Sequence, residues 1–295
     1  MKTVRFNYIN VRKMHREKAM LLGYFDGVHL GHKKLIETAV KESDIPLGIL
    51  TFDKPISSLI DNGKSNEVLT SLDDRFKIIS KLGVDYYYVV EIDRNFLEKT
   101  AEDFIDFLKR MKVTKVYVGS DYRFGKDRKG DIDLLKKYFD TRVIDLVEKN
   151  GNKIGAQNII SLLKEGKIKE ANELMGHNYM ITGYVSHGQG LGAKIGYPTE
   201  NVTPITDYVF PKFGVYKTIA YIDGVPHLSI TNVGLHPTAS KIDKPTFEVH
   251  LNNYNSYDYG KTISVEFLEF IRPEKKFKDM HELCAQIADD IMKVF

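Results

Sequence analysis

A single cysteine, Cys284, stands among the 295 residues. No disulfide can form within the chain, and a reducing, cytoplasmic setting fits. Cys284 lies in a segment patterned as an amphipathic helix and reads as a small buried packing residue rather than a reactive thiol. An excess of one charge is also missing: 43 basic residues face 40 acidic ones for a formal net charge of +3, and the two signs are interspersed. Without a basic run, charge gives no case for a nucleic-acid partner. No apolar run approaches the length of a bilayer span, and the N-terminus joins no basic patch to an apolar stretch, so no membrane partner is expected. Internal repeats and low-complexity linkers are lacking as well, and nothing reports on oligomeric state.

What is present is the balance of a globular protein, 42% hydrophobic and 28% charged, with length enough for two domains that each bury a core. Up to about residue 178, short apolar runs alternate with amphipathic stretches. Ala19–Leu22, Leu47–Phe52, Tyr86–Val90, Lys115–Val118 and Val143–Val147 read as strands. His32–Lys41, Asp73–Leu82, Ala101–Met111 and Ile132–Phe139 carry helical spacing, with Thr100 as an N-cap for the third. That alternation predicts an α/β domain, a parallel sheet covered on both faces. A helical stretch, Ile159–Met175, precedes a change of rhythm. From Tyr179 to Ile271, β-branched and aromatic residues alternate with polar ones, and Asp223-Gly224 marks a hairpin. Residues 179–295 therefore read as a second domain, an antiparallel β-barrel or sandwich closed by a helix from Asp279 to about Val294.

Two strings carry chemistry. Gly23-Tyr24-Phe25-Asp26-Gly27-Val28-His29-Leu30-Gly31-His32 follows a core strand and opens a helix. Such a loop turns backbone amides and the positive end of a helix toward an anion, and His29 and His32 can both reach one phosphate. The second string runs from His187 to Asn201. Four glycines, Gly188, Gly190, Gly192 and Gly196, can wrap a polyphosphate, and Thr199 and Asn201 supply the hard oxygens that magnesium prefers.

The first string resembles the nucleotidylyltransferase signature of bacterial FAD synthetases. Thr51-Phe52-Asp53-Lys54-Pro55, Asp74-Arg75 and Gly119-Ser120-Asp121-Tyr122-Arg123-Phe124-Gly125 follow in the family's order. The second resembles riboflavin kinase, whose Gly-Phe-Pro-Thr-Ala-Asn signature stands here as Gly196-Tyr197-Pro198-Thr199-Glu200-Asn201. Phe213-Gly214-Val215-Tyr216, Thr231-Asn232-Val233-Gly234, Phe247-Glu248-Val249-His250-Leu251 and Phe270-Ile271-Arg272-Pro273 come after it in order.

The joint resemblance, to bifunctional riboflavin kinase/FMN adenylyltransferases, implies a Rossmann-like nucleotidylyltransferase domain over 1–178 and a riboflavin kinase barrel over 179–295. It further implies ATP, riboflavin and FMN as substrates with Mg2+ as cofactor. By the same resemblance Glu248 is the kinase's general base, and His29 and His32 serve adenylylation. Thr199 and Asn201 hold the metal. Phe25, Asp26, Gly27, Gly31, Asp121 and Phe124 surround the first nucleotide site. Gly188, Gly192, Lys194, Gly196, Pro198, Asn232 and Arg272 surround the second.

The chain departs from the family in places. Ile154-Gly155-Ala156-Gln157-Asn158-Ile159-Ile160 stands where an Ile-Ser-Ser-Thr-x-x-Arg motif is usual, and Ala193 and His236 stand where arginines are common. Losing hydroxyls and a bidentate cation weakens phosphate binding. A kinase with a degenerate adenylyltransferase domain, and a non-catalytic flavin or nucleotide sensor, are the alternative readings.

Overall fold

The computed structural model describes residues 1–8, 13–60, 66–145, 147–149, 152–187, 192, 195–235, 245–252, 254 and 258–295; the side chains of 152, 235, 245 and 246 lie outside that description. The chain divides into two compact units, Met1–Gly155 and Ala156–Phe295.

The first unit is built on a six-stranded parallel sheet of order β1-β4-β3-β2-β5-β6. Its strands are β1 (Lys2–Asn7), β2 (Lys18–Leu22), β3 (Leu47–Phe52), β4 (Tyr86–Glu91), β5 (Val113–Gly119) and β6 (Asp140–Ile144), followed by a separate two-stranded ribbon of β7 (Glu148–Lys149) and β8 (Asn152–Lys153). β2, at the middle of the order, is buried at all five positions, as a parallel strand covered on both faces must be. One face packs on α4 (Ala101–Arg110) through Phe104, Phe107 and Leu108. The other packs on α1 (Leu30–Glu42) and α3 (Leu72–Ser80) through Leu35, Ile36 and Ile79. Thr100 caps α4 in a full capping box with Asp103. The middle strands β2 and β3 end at Leu22 and Phe52, the carboxyl edge at which open α/β sheets bind ligands.

Three boundaries differ from the sequence expectation. The run Val143–Val147 is not the last strand; β6 lies at Asp140–Ile144, a half-exposed edge whose polar Asp-Thr-Arg start masks it. The helix expected over Ile132–Phe139 is α5 (Ile132–Lys136) and ends at Lys136; the short α2 spans Ser57–Ile60. The single stretch Ile159–Met175 is two helices, α6 (Ala156–Glu165) and α7 (Ile168–Met175), parted at Gly166 with φ of 81°.

The second unit is a closed barrel of order β10-β13-β12-β11-β14-β9, formed by β9 (Tyr179–Ser186), β10 (Glu200–Pro204), β11 (Gly214–Ile222), β12 (Val225–Leu235), β13 (Pro245–Leu251) and β14 (Thr262–Pro273). Every neighbouring pair is antiparallel. The expected Asp223-Gly224 turn joins β11 to β12 with φ of 52° and 81°, the left-handed pair that a type I′ hairpin needs. Val202, Tyr216, Val233, Phe247, Val249 and Phe267 fill the interior. Thr218 Oγ1 meets the hydroxyls of Ser229 and Thr231 at 2.8 Å each, all three residues fully buried, so the barrel's polar centre is satisfied within itself.

The helical pair α6–α7 belongs to this unit: Asn172 of α7 donates to the Phe267 carbonyl at 2.8 Å and accepts from the Tyr179 amide at 2.7 Å. The last helix, α8 (Met280–Val294), is capped by Asp279 and lays Ile291 and Val294 on Val215 and Ile230 outside the barrel. Cys284 is free and half-buried rather than fully buried. No helix among the described residues is long and apolar enough to cross a membrane.

Candidate active sites

At the end of β2 the chain turns sharply. Phe25, Gly27 and Val28 all take positive φ, at 57°, 69° and 37°. Backbone strain of this kind persists only where the surroundings hold it, and Asp26 is the clamp. Its carboxylate accepts from the amides of Leu69 and Thr70 at 2.9 and 3.0 Å and from the Thr70 hydroxyl at 2.9 Å. The Thr70 hydroxyl in turn accepts from the Gly27 amide at 3.0 Å. Beneath the turn lies Arg75, 1% exposed. Its guanidinium donates to the Tyr24 carbonyl at 2.7 Å and to Thr51 Oγ1 at 3.1 Å, and it stacks 4.2 Å from the Tyr24 ring. Asp26 therefore shapes the loop from within. Phe25, 1% exposed, packs in the core behind the His32 ring at 5.1 Å.

The two histidines are together. Their rings stack with centroids 3.7 Å apart, and His29 Nδ1 accepts from the His32 amide as the N-cap of α1. Accepting through Nδ1 leaves the proton of a neutral His29 ring on Nε2. Burial, then the neighbouring His29 and Arg75 charges, holds the His32 imidazole well below its ordinary pKa, so the ring is neutral. Its Nδ1 is buried with no hydrogen-bond partner among the described residues. A Cβ at Gly31 would press on the His29 ring at 3.1 Å. The carbonyl of Ile154 lies 3.7 Å from that same point. The segment that departs from the family pattern thus begins against the histidine loop.

Asp121 is exposed and ion-paired with Lys153. Phe124, 7% exposed, stacks on Tyr122 and packs on Phe104 in the core. These two residues are not drawn to the histidines by any contact among the described residues.

In the barrel the inward residues of β13, Phe247, Val249 and Leu251, are buried, while Glu248 and His250 between them are half-buried and face outward. Register places Glu248 directly opposite Asn201 on β10 and Asn232 on β12. The row continues from Asn201 to Ser186 and from Asn232 through Val215 to Arg272. Directly opposed residues bring their side chains to one face about 5 Å apart, so Asn201, Glu248 and Asn232 form one polar strip beside α8.

Thr199, half-buried, precedes β10; its Oγ1 would lie 3.3 Å from a Cβ at Gly192. That same Cβ would come 2.3 Å from the Tyr197 carbonyl, so only glycine allows the approach, which the Tyr197 amide closes by donating to the Gly192 carbonyl at 2.8 Å. Gly196 turns with φ of 87°, and the Pro198 carbonyl meets His250 Nδ1 at 2.8 Å. Arg272 is engaged elsewhere than at an open site: its Nε and Nη2 both donate to the Asp290 carboxylate of α8, at 2.9 and 2.7 Å. Gly188 and Lys194, along with His236, lie outside the described residues. Tyr24, Arg75 and His250 stand inside the motif strings, but sequence reading assigned them no role of their own; the Tyr24 and Pro198 carbonyls that Arg75 and His250 meet are backbone atoms, which residue identity does not reveal.

The oxygen donors Thr199 and Asn201 fit a magnesium ion shared with phosphate, which keeps few protein ligands. No group of three or more His, Cys, Asp or Glu among the described residues is arranged to hold a metal.

Two family models match the chain. Residues 11–161 match the FAD synthetase family model and residues 175–294 the riboflavin kinase model. The bifunctional riboflavin kinase/FMN adenylyltransferase of Listeria monocytogenes is 36% identical over 92% of this chain and 90% of its own length. The protein of the same name from Escherichia coli is 34% identical over 95% and 93%. A crystal structure from Streptococcus pneumoniae, described as a macrolide-efflux protein, superposes with a TM-score of 0.90 at 28% identity and covers 100% of this chain and 99% of that one. The chain belongs to the bifunctional riboflavin kinase/FMN adenylyltransferase family.

Proposed function

We propose that this chain makes flavin cofactors in two steps: it phosphorylates riboflavin to FMN with ATP in residues 179–295 and adenylylates FMN to FAD with a second ATP in residues 1–178. The observation that carries the reading is the strip Asn201–Glu248–Asn232. A carboxylate between two carboxamides, next to the glycine-ended loop that bears Thr199, is what a phosphoryl transfer asks for: a base for the attacking hydroxyl, and neutral polar partners that hold substrate without competing for charge. In this reading Glu248 takes the proton of the ribityl terminal hydroxyl as its oxygen attacks the γ-phosphorus and ADP leaves. Thr199 and Asn201 hold Mg2+, which when bound neutralises phosphate charge. Gly192, Gly196 and Pro198 shape the nucleotide loop, Gly188 and Lys194 are assigned to the same site by resemblance alone, and Asn232 orients substrate.

For adenylylation, His29 and His32 face the α-phosphate with N–H groups, and the FMN phosphate displaces pyrophosphate in line. Donors held rigidly at that point stabilise charge as it develops, with no covalent intermediate. Phe25, Asp26, Gly27 and Gly31 serve this site by fixing the loop, Asp121 and Phe124 by bounding it. Because the Ser-Ser-Thr-x-x-Arg donors are replaced, adenylylation is the slower half.

The test is chromatographic. Purified protein given riboflavin, ATP and Mg2+ yields FMN first and FAD later; no FMN formation at saturating substrates would remove the kinase reading. No FAD from supplied FMN would leave a kinase alone. Flavin bound tightly with no turnover in either half would instead favour a sensor.

A further inference from the structure

Resting on that kinase reading, we infer that His250 is a positioning residue for the metal–nucleotide loop. The pairing of β10 with β13 runs Val202↔Phe247, Asn201↔Glu248, Glu200↔Val249 and then stops. Pro198 and Thr199 lie beyond Glu200, the first paired residue of β10. At this point the imidazole of His250 takes over: its Nδ1 lies 2.8 Å from the Pro198 carbonyl, and its ring meets Tyr197 edge-on at 6.1 Å. A carbonyl can only accept, so Nδ1 carries the proton and donates.

The consequence is geometric. Upstream, the loop hangs on the bond between the Tyr197 amide and the Gly192 carbonyl and turns through Gly196, where no described residue lies within 4 Å of a would-be Cβ. Proline offers no N–H, so Pro198 cannot join the ladder as a donor. The imidazole is thus the tie that fixes the peptide immediately before Thr199, and with it the direction of the Thr199 hydroxyl. His250 sits two residues from Glu248 on the same outward face of β13, so one rigid strand sets both the base and the oxygen that shares the metal with phosphate. His250 itself touches neither substrate in this scheme.

Three substitutions test it, each compared with wild type first shown to convert riboflavin to FMN; failure of wild type would defeat the kinase reading, not this one. His250→Asn places its amide nitrogen near the position of Nδ1, whereas His250→Gln reaches toward Nε2. His250→Ala is expected to raise the KM for MgATP about three- to tenfold, the worth of one net hydrogen bond, with the KM for riboflavin unchanged. His250→Asn is expected to restore it and His250→Gln not. Calorimetric titration with Mg2+ and a non-hydrolysable ATP analogue should follow the same order without turnover. Unchanged KM and analogue affinity in His250→Ala would overturn the inference. So would rescue by Gln rather than Asn, and that comparison stands even where the alanine variant fails to fold.

Discussion

Arg272 on β14 grips Asp290 on α8 through two nitrogens, Nε at 2.9 Å and Nη2 at 2.7 Å from the same carboxylate oxygen, with Asp290 only 3% exposed. Gln286 adds a third donor to that carboxylate at 3.1 Å. The pair pins the terminal helix to the barrel, so Arg272→Met should cost about 3 kcal/mol of stability by leaving a buried carboxylate without its cation. Replacing both residues with apolar ones should recover much of the loss. Denaturant unfolding of the two single variants and the double one gives the coupling directly.

Glu248→Gln keeps the shape of the strip and removes its base. FMN formation should fall by about a hundredfold or more, with the unfolding midpoint little changed. Full activity in this variant would transfer the proton-accepting role away from Glu248.

The neutral His32 predicts an acid-sensitive first unit. Unfolding releases the ring to its ordinary pKa near 6.5, so below that pH the unfolded chain binds a proton that the folded chain resists. Stability is therefore complete above about pH 6.5 and falls as pH drops, by about 1.4 kcal/mol per unit from this group. The same scan on His32→Gln should be flatter by that amount; parallel curves would mean the ring is charged when folded.

Restoring the missing phosphate donors should speed the second reaction. Gly155→Ser, Ala156→Ser, Gln157→Thr and Ile160→Arg together should raise the rate of FAD formation from FMN by about a hundredfold, the usual worth of a transition-state donor, and leave FMN formation from riboflavin unaltered.

Both architectures were legible because each has its own period: runs such as Leu47–Phe52 separated by amphipathic helices, then alternation as in Val215–Tyr221. What escaped was whatever breaks a period. β1 (Lys2–Asn7), with burial that never falls to the core, gave no apolar run to read. β6 was hidden by its polar start. In the sites, the motif strings located the loops, but not which members face outward. Phe25 and Phe124 share strings with His29 and Asp121 yet pack inward, and Arg272 pairs with a residue eighteen positions away. Such pairings arise from tertiary approach, which neighbouring letters do not encode.

The strip on β10, β13 and β12 owes its alignment to the hydrogen-bond ladder itself. Deleting one residue of β13 ahead of Glu248 would turn Glu248 into the apolar interior and bring Val249 into its place, exchanging base for valine in one step. Catalysis written across strands in this way tolerates drift in the loops around it, while its own spacing is inherited whole or lost.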